Sequence, residues 1–60
     1  MHNTAEEIQV RYLRNGDKVM HHGVLKTIRT TVVLTNTVNV TFTDGTTGFW
    51  NRGHIITRHQ

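Results

Sequence analysis

The sequence contains no cysteine, no serine and no proline, and the first two absences each exclude a class of site. Without cysteine there is neither a disulfide framework nor a thiolate metal site. Without serine there is no Ser-His-Asp catalytic arrangement. The glycines are spread along the chain instead of gathering in a phosphate-binding loop. We therefore expect a protein that is not an enzyme and that uses no cofactor.

Long apolar runs are missing as well. No run approaches the roughly 18 residues that span a bilayer, so we expect no membrane partner. The first seven residues have neither the basic start nor the apolar segment of a secretory signal. Together with the absence of cysteine, this favours a reducing, cytoplasmic location.

The length and the charge set further bounds. A chain of 60 residues forms one domain at most, and a domain of that size buries only about 60% of the surface of its unfolded chain. We expect residues 1–60 to form one domain without room for a large catalytic cleft. Seven basic residues against four acidic ones give a formal net charge of +3. This charge favours a polyanionic partner, or it serves solubility alone.

Threonine and valine, with eleven and seven copies, dominate the composition. Such β-branched residues fit strands better than helices. The one helical candidate is Thr4 to Glu7, which has the spacing of a capping box, so residues 1–6 are expected to be flexible or to form a single helical turn. Everything after it favours an all-β protein.

The apolar pattern predicts the strands. Ile8, Val10 and Tyr12 alternate with polar residues and indicate a first strand with these three side chains on its core face. A turn at residues 14–17 precedes a short strand at residues 18–21. Residues 24–35 indicate a long strand, whose mixed parity requires a bulge at a position that the pattern leaves open.

The second half of the chain alternates more cleanly. Val38, Val40 and Phe42 share the core face of one strand. Asp44-Gly45 then predicts a two-residue type I′ hairpin, and residues 46–50 form the return strand. A turn at residues 51–53 leads to a last strand at residues 54–58. Five or six short strands of this kind predict a small barrel with a strongly bent antiparallel sheet.

The run from Tyr12 to Ile56 resembles the small SH3-like barrels, which include Tudor and KOW modules. The residues that carry the resemblance are Gly16-Asp17-Lys18-Val19 before a strand and the hairpin Val40-Thr41-Phe42-Thr43-Asp44-Gly45. The resemblance implies an SH3-like barrel, and the KOW modules imply a nucleic-acid partner. The chain also resembles the small barrel proteins that phages and mobile elements carry. A methyl-lysine cage of the Tudor kind is not expected, because too few rings are available.

Two sets of residues are candidates for binding. The first is a basic stripe that would contact phosphates, formed by Arg11, Arg14, Lys18, Lys26 and Arg29. Scattered, solvated charges are the alternative. The second is the segment Phe49, Trp50 and Arg52, in which one of two adjacent rings must leave the core. That ring stacks on a base or anchors a protein, unless Trp50 closes the end of the barrel. The five histidines are expected at the surface without a metal ion.

Three functions remain open at this point. Low-specificity binding of DNA or RNA through the basic face ranks first. A protein-interaction module, acting as an inhibitor or adaptor of a partner protein, ranks second. A structural subunit of an oligomer ranks third, and the sequence leaves the oligomeric state undetermined.

Overall fold

The computed structural model describes residues 5–59, which form an all-β protein. Its strands are β1 (Ala5–Gln9), β2 (Lys18–His21), β3 (Val24–Val33), β4 (Thr37–Phe42), β5 (Thr47–Asn51) and β6 (Ile55–His59). They form one antiparallel sheet in the order β1-β6-β2-β3-β4-β5. No pairing within residues 5–59 joins β1 to β5, so the sheet is open there and closure into a barrel is not confirmed.

The start of the described chain is a strand. Ala5 pairs with His59, and Glu6 pairs with Arg58, across β1 and β6. The helical turn that the capping-box spacing favoured is therefore wrong for residues 5–7, and residues 1–4 lie outside the described residues. A single helical turn leaves most of its backbone groups without partners, whereas the neighbouring strand β6 supplies them.

β1 is shorter than the apolar alternation predicts. It ends at Gln9, and Val10–Tyr12 form one turn of 3-10 helix, closed by the bond from the Leu13 N–H to the Val10 carbonyl (3.1 Å). The turn changes the direction of the chain, so Val10 stays buried while Tyr12 is 57% exposed. The prediction that Tyr12 faces the core is wrong for this reason.

The tight type I′ hairpin lies two hairpins earlier than predicted, between β2 and β3. His22 and Gly23 have φ angles of +52° and +79°, and they link His21 to its partner Val24 in a two-residue loop. A type I′ turn needs positive φ at both central residues. In the predicted hairpin only Gly45 has positive φ, and its N–H reaches the Phe42 carbonyl across a three-residue loop. The hairpin at Asp44-Gly45 exists, but its type is not I′.

The predicted bulge lies at Arg29. Ile28 pairs with Phe42, and Thr30 pairs with the next residue, Thr41, so Arg29 is the extra residue of β3. The extra residue reverses which side chains face the core. Before the bulge even-numbered residues face inward, and after it odd-numbered residues do, so Val32 lies on the face opposite to that of Ile28.

The core lies on one face of the bent sheet. Its buried residues come from the 3-10 turn, from the loop after it and from the strands β2, β3 and β4, and they are Val10, Leu13, Val19, Ile28, Val38, Val40 and Phe42. The inward alternation predicted for β4 is confirmed. Within residues 5–59 no helix is long and apolar enough to cross a membrane.

Candidate nucleic-acid interface

The segment that follows β1 is held rigidly from both sides. Val10 and Leu13 are buried anchors, and the Val10 N–H donates to the His54 carbonyl (2.8 Å). The next turn is fixed to β3, since the Gly16 N–H donates to the Ile28 carbonyl and the Ile28 N–H donates to the Asp17 carbonyl, both at 2.8 Å. Side chains between these anchors therefore have a fixed backbone beneath them.

Three arginines converge on a groove beside this segment. The groove has a volume of about 630 Å³ and is lined by Arg11, Tyr12, Leu13, Arg14, Asp17 and Arg58. Three guanidinium groups and one carboxylate give its lining a formal charge of +2. Arg11 and Tyr12 also contact each other, with the Arg11 Cζ 4.9 Å from the centroid of the ring. The groove thus combines positive charge with an exposed aromatic face.

Arg58 enters the groove from β6 and is the functional candidate that sequence reasoning missed. It forms ion pairs with Glu6 and with Asp17, whose Oδ2 lies 3.6 Å from Nη1. The Asp17 Oδ2 also accepts a bond from the Arg14 N–H (2.9 Å). No local pattern marks Arg58, because only the pairing of β6 with β1 and β2 brings it to this place.

Two guanidinium nitrogens in the groove keep unused hydrogen-bonding capacity. The Nε atoms of Arg11 and Arg58 are buried and have no hydrogen-bond partner among the described residues. A buried donor without a partner is costly. Both atoms are shielded from solvent, so these two residues offer an anionic ligand in the groove their positive charge and not a bond from Nε.

Lys18 and Arg29 form a second basic group on the opposite face of the sheet. Lys18 pairs with Thr27, and Arg29 lies two residues beyond that partner. Such diagonal neighbours stand about 7–8 Å apart. Both side chains are exposed, and both adjoin the turn at residues 14–17. The turn thus has arginines of the groove on one side and this pair on the other.

Lys26 does not join either basic group. Its Nζ lies 3.3 Å from the Asp44 Oδ2, donates to the Thr46 Oγ1 (2.8 Å), and stands 5.5 Å from the centroid of the Phe42 ring. Hydrogen bonds from the Thr46 side chain and backbone, with a smaller contribution from Lys26, lower the pKa of Asp44 to about 2. Lys26 is therefore engaged in closing one end of the core, and the predicted set of five does not form one stripe.

The two adjacent rings of β5 separate as strand geometry requires. Phe49 is 74% exposed, whereas Trp50 is half-buried against the core. Trp50 meets the His21 ring edge-on at 5.8 Å and stacks on the His54 ring at 6.5 Å. Arg52 is exposed in the following turn, where its N–H donates to the Asn36 carbonyl (2.9 Å). The ring that leaves the core is thus Phe49.

Of the four histidines within residues 5–59, His21 is the one that enters the core face. Its ring stacks on His22 (4.1 Å) and contacts Phe42 (5.1 Å). Burial lowers the pKa of His21, and the nearby His22 and Lys26 lower it further. No group of three potential metal ligands occurs within residues 5–59.

Comparisons of this chain with models of protein families, with curated proteins and with solved structures found no match. The candidate interface consequently rests on its own geometry.

Proposed function

We propose that this protein is a small, non-enzymatic module that binds single-stranded nucleic acid with low sequence specificity. The observation that carries the proposal is the groove in which Arg11, Arg14 and Arg58 surround an exposed Tyr12. Single strands are bound by a positive groove that follows the backbone together with aromatic side chains on which bases stack. The groove supplies both components.

In the proposed complex, Arg11 and Arg14 contact phosphates at the groove. The bound nucleic-acid strand then passes over the turn at residues 14–17. It meets Lys18 and Arg29 on the face of the sheet opposite to the groove. Arg58, which is paired with Glu6 and Asp17, holds the groove in shape. The proposal therefore includes four phosphate contacts, one each from Arg11, Arg14, Lys18 and Arg29.

Tyr12 provides selectivity for unpaired bases. A base that is part of a duplex cannot present its face to an exposed ring, whereas an unpaired base can. Stacking of one base contributes about 1–3 kcal/mol. No element within residues 5–59 has the form of a recognition helix, so low specificity is part of the proposal.

The test is fluorescence anisotropy with labelled single-stranded and duplex oligonucleotides over a salt series. Four contacts predict a slope of log K against log salt of about −3 for a single strand. Raising the salt from 50 to 200 mM should then weaken binding about 50-fold. Tyr12→Ala should weaken binding to the single strand by about 5-fold to 150-fold and leave the duplex almost unaffected.

A matched pair of charge reversals separates the groove from net charge. Arg14→Glu and Arg52→Glu change the charge equally, and both residues are exposed in turns. Arg14→Glu should weaken binding at least tenfold, whereas Arg52→Glu should change it little. Equal effects of the two variants would mean that overall charge, and not the groove, attracts the strand. An absence of binding at 50 mM salt would overturn the proposal.

Two finer assignments belong to the same proposal. We propose that the bent sheet is an SH3-like module, on the support of its six short strands and of the resemblance that the hairpin at residues 40–45 carries. We also propose that the protein acts in the cytoplasm, on the support of its lack of cysteine.

A further inference from the structure

β5 forms one edge of the sheet, and its outward face carries an exposed aromatic ring between two uncharged polar residues. Within residues 5–59 it pairs with β4 alone. Phe49, at the centre of the strand, is 74% exposed and lies in one row with Asn39 and the 53% exposed Val32. The groove of the proposed function is lined by residues of other elements, so this surface is distinct from it.

The backbone of β5 has three residues whose hydrogen-bonding groups face the open edge. The Phe42 N–H donates to the Thr46 carbonyl, and the Arg52 N–H donates to the Asn36 carbonyl. Backbone groups alternate in direction along a strand, so Gly48 and Trp50 also bond towards β4. Thr47, Phe49 and Asn51 therefore direct their N–H and C=O groups away from the sheet.

The two edges of the sheet differ in how they are protected. Proteins commonly guard an edge strand with charged residues or proline, which discourage pairing with another chain. The edge strand β1 carries Glu6 and Glu7 among its five residues, and both are exposed. The sequence of β5 is Thr-Gly-Phe-Trp-Asn, without charge or proline. Of these two edge strands, β5 is the one without such protection against a further strand.

We propose that the β5 edge binds the β5 edge of a second copy of this chain in an antiparallel pair. A twofold axis through the centre places Phe49 opposite Phe49 of the second copy, and Thr47 opposite Asn51. These are the residues with outward backbone groups, so the pair gains about six hydrogen bonds, two from each of its three hydrogen-bonded positions. The two Phe49 rings lie side by side on one face.

A second copy fits this edge better than an unrelated partner for two reasons. The strand is neutral, so two copies with a net charge of +3 each bring no like charges together at the contact. The strand is also self-complementary, because its ring is at the midpoint and its small polar residues are at the ends. The binding segment predicted at Phe49, Trp50 and Arg52 thus reduces to Phe49 at the interface.

The interface is small. One strand from each copy buries less than the ~1,200 Å² of a stable specific complex, which places the dimer among weak, dissociable ones. We expect a dissociation constant between about 10 µM and 1 mM. Sedimentation equilibrium over this range of concentration, without nucleic acid, should show a rise from the 6.9-kDa chain towards twice that mass.

The register is tested by disulfide trapping, for which the cysteine-free chain is suited. Paired Cα atoms at hydrogen-bonded positions are about 5.5 Å apart, within the range that a disulfide spans. A mixture of Thr47→Cys and Asn51→Cys proteins should form a mixed disulfide dimer under mild oxidation. Either protein alone should form little, because Thr47 does not meet Thr47 of the other copy.

Two lysine substitutions on exposed apolar residues provide the control. Phe49→Lys places two positive charges opposite each other and should abolish the dimer. Leu25→Lys makes the same change in charge on β3, away from the edge, and should leave the dimer intact. The proposal is overturned if the wild-type chain stays monomeric at 1 mM, if both lysine variants act alike, or if the single cysteine variants crosslink as fast as the mixture. Since no nucleic acid is present, none of these results depends on the groove.

Discussion

The two phenylalanines test the assignment of the core face and of the outward face of the sheet in one comparison. Phe42 and Phe49 lie on adjacent strands, yet Phe42 is 0% exposed and Phe49 is 74% exposed. Removal of a buried phenylalanine ring to alanine costs about 3–5 kcal/mol, because apolar contacts are lost and a cavity remains. A domain of 60 residues has a total stability of about 3–9 kcal/mol. Phe42→Ala should therefore lose a third or more of the total stability, and it should be unfolded at 25 °C if that stability lies at the low end of the range.

Phe49→Ala should remain folded and change the free energy of unfolding by less than about 0.5 kcal/mol. A graded variant, Phe42→Leu, should lose an amount within the ordinary range of about 0.5–3 kcal/mol and so keep the comparison quantitative. The assay is urea unfolding, followed by circular dichroism and by the fluorescence of the single tryptophan, Trp50, which packs against the core.

The concentration of protein decides how this result is interpreted. The measurement belongs at about 1 µM, well below the expected dissociation constant of the dimer, where Phe49 faces solvent. If Phe49→Ala there destabilised the chain as much as Phe42→Leu does, Phe49 would be buried within the monomer. That result would refute the assignment of Phe49 to the outward face of β5.

Two further predictions concern the turns and the core-facing histidine. Burial lowers the pKa of His21, so the folded state binds a proton less readily than the unfolded state, whose histidine pKa is near 6.5. Stability should be complete above pH 6.5 and should fall as the pH drops through it, and His21→Gln should flatten this part of the urea-midpoint profile relative to His59→Gln. Gly45 has a φ of +89°, so Gly45→Ala should cost about 1–2 kcal/mol by urea unfolding. Gly53, whose added Cβ would meet open space, should tolerate alanine, and equal losses at both glycines would contradict the strained turn.

Local patterns predicted the strands well where each face of a strand meets a single environment, either the core or solvent. The alternation of Val38, Val40 and Phe42 identified β4, because one face of that strand is covered along its whole length. The mixed parity of β3 required a bulge, and the structure places it at Arg29. The alternation failed at Tyr12, since the 3-10 turn Val10–Tyr12 changes the direction of the chain without changing the apolar pattern.

The candidate site was less predictable than the strands. Arg11 and Arg14 were predicted as phosphate contacts and line one groove, but Arg58 joins them only through the pairing of β6. Lys26 has the same local signature as Lys18, and yet its ammonium group is held by Asp44 and Thr46. A basic residue in the sequence does not reveal which carboxylate will reach it.

The sequence by itself determined the all-β class, the absence of disulfide and serine-based sites, and the approximate positions of most strands and turns. These follow from composition and from period-two patterns, which act between residues close in the chain. The tertiary structure alone decided which cations share the groove, that Phe49 and not Trp50 faces outward, and that β5 is an unprotected edge. These depend on the register and order of strands that are distant in sequence, and a shift of one residue in register exchanges the two faces of a strand.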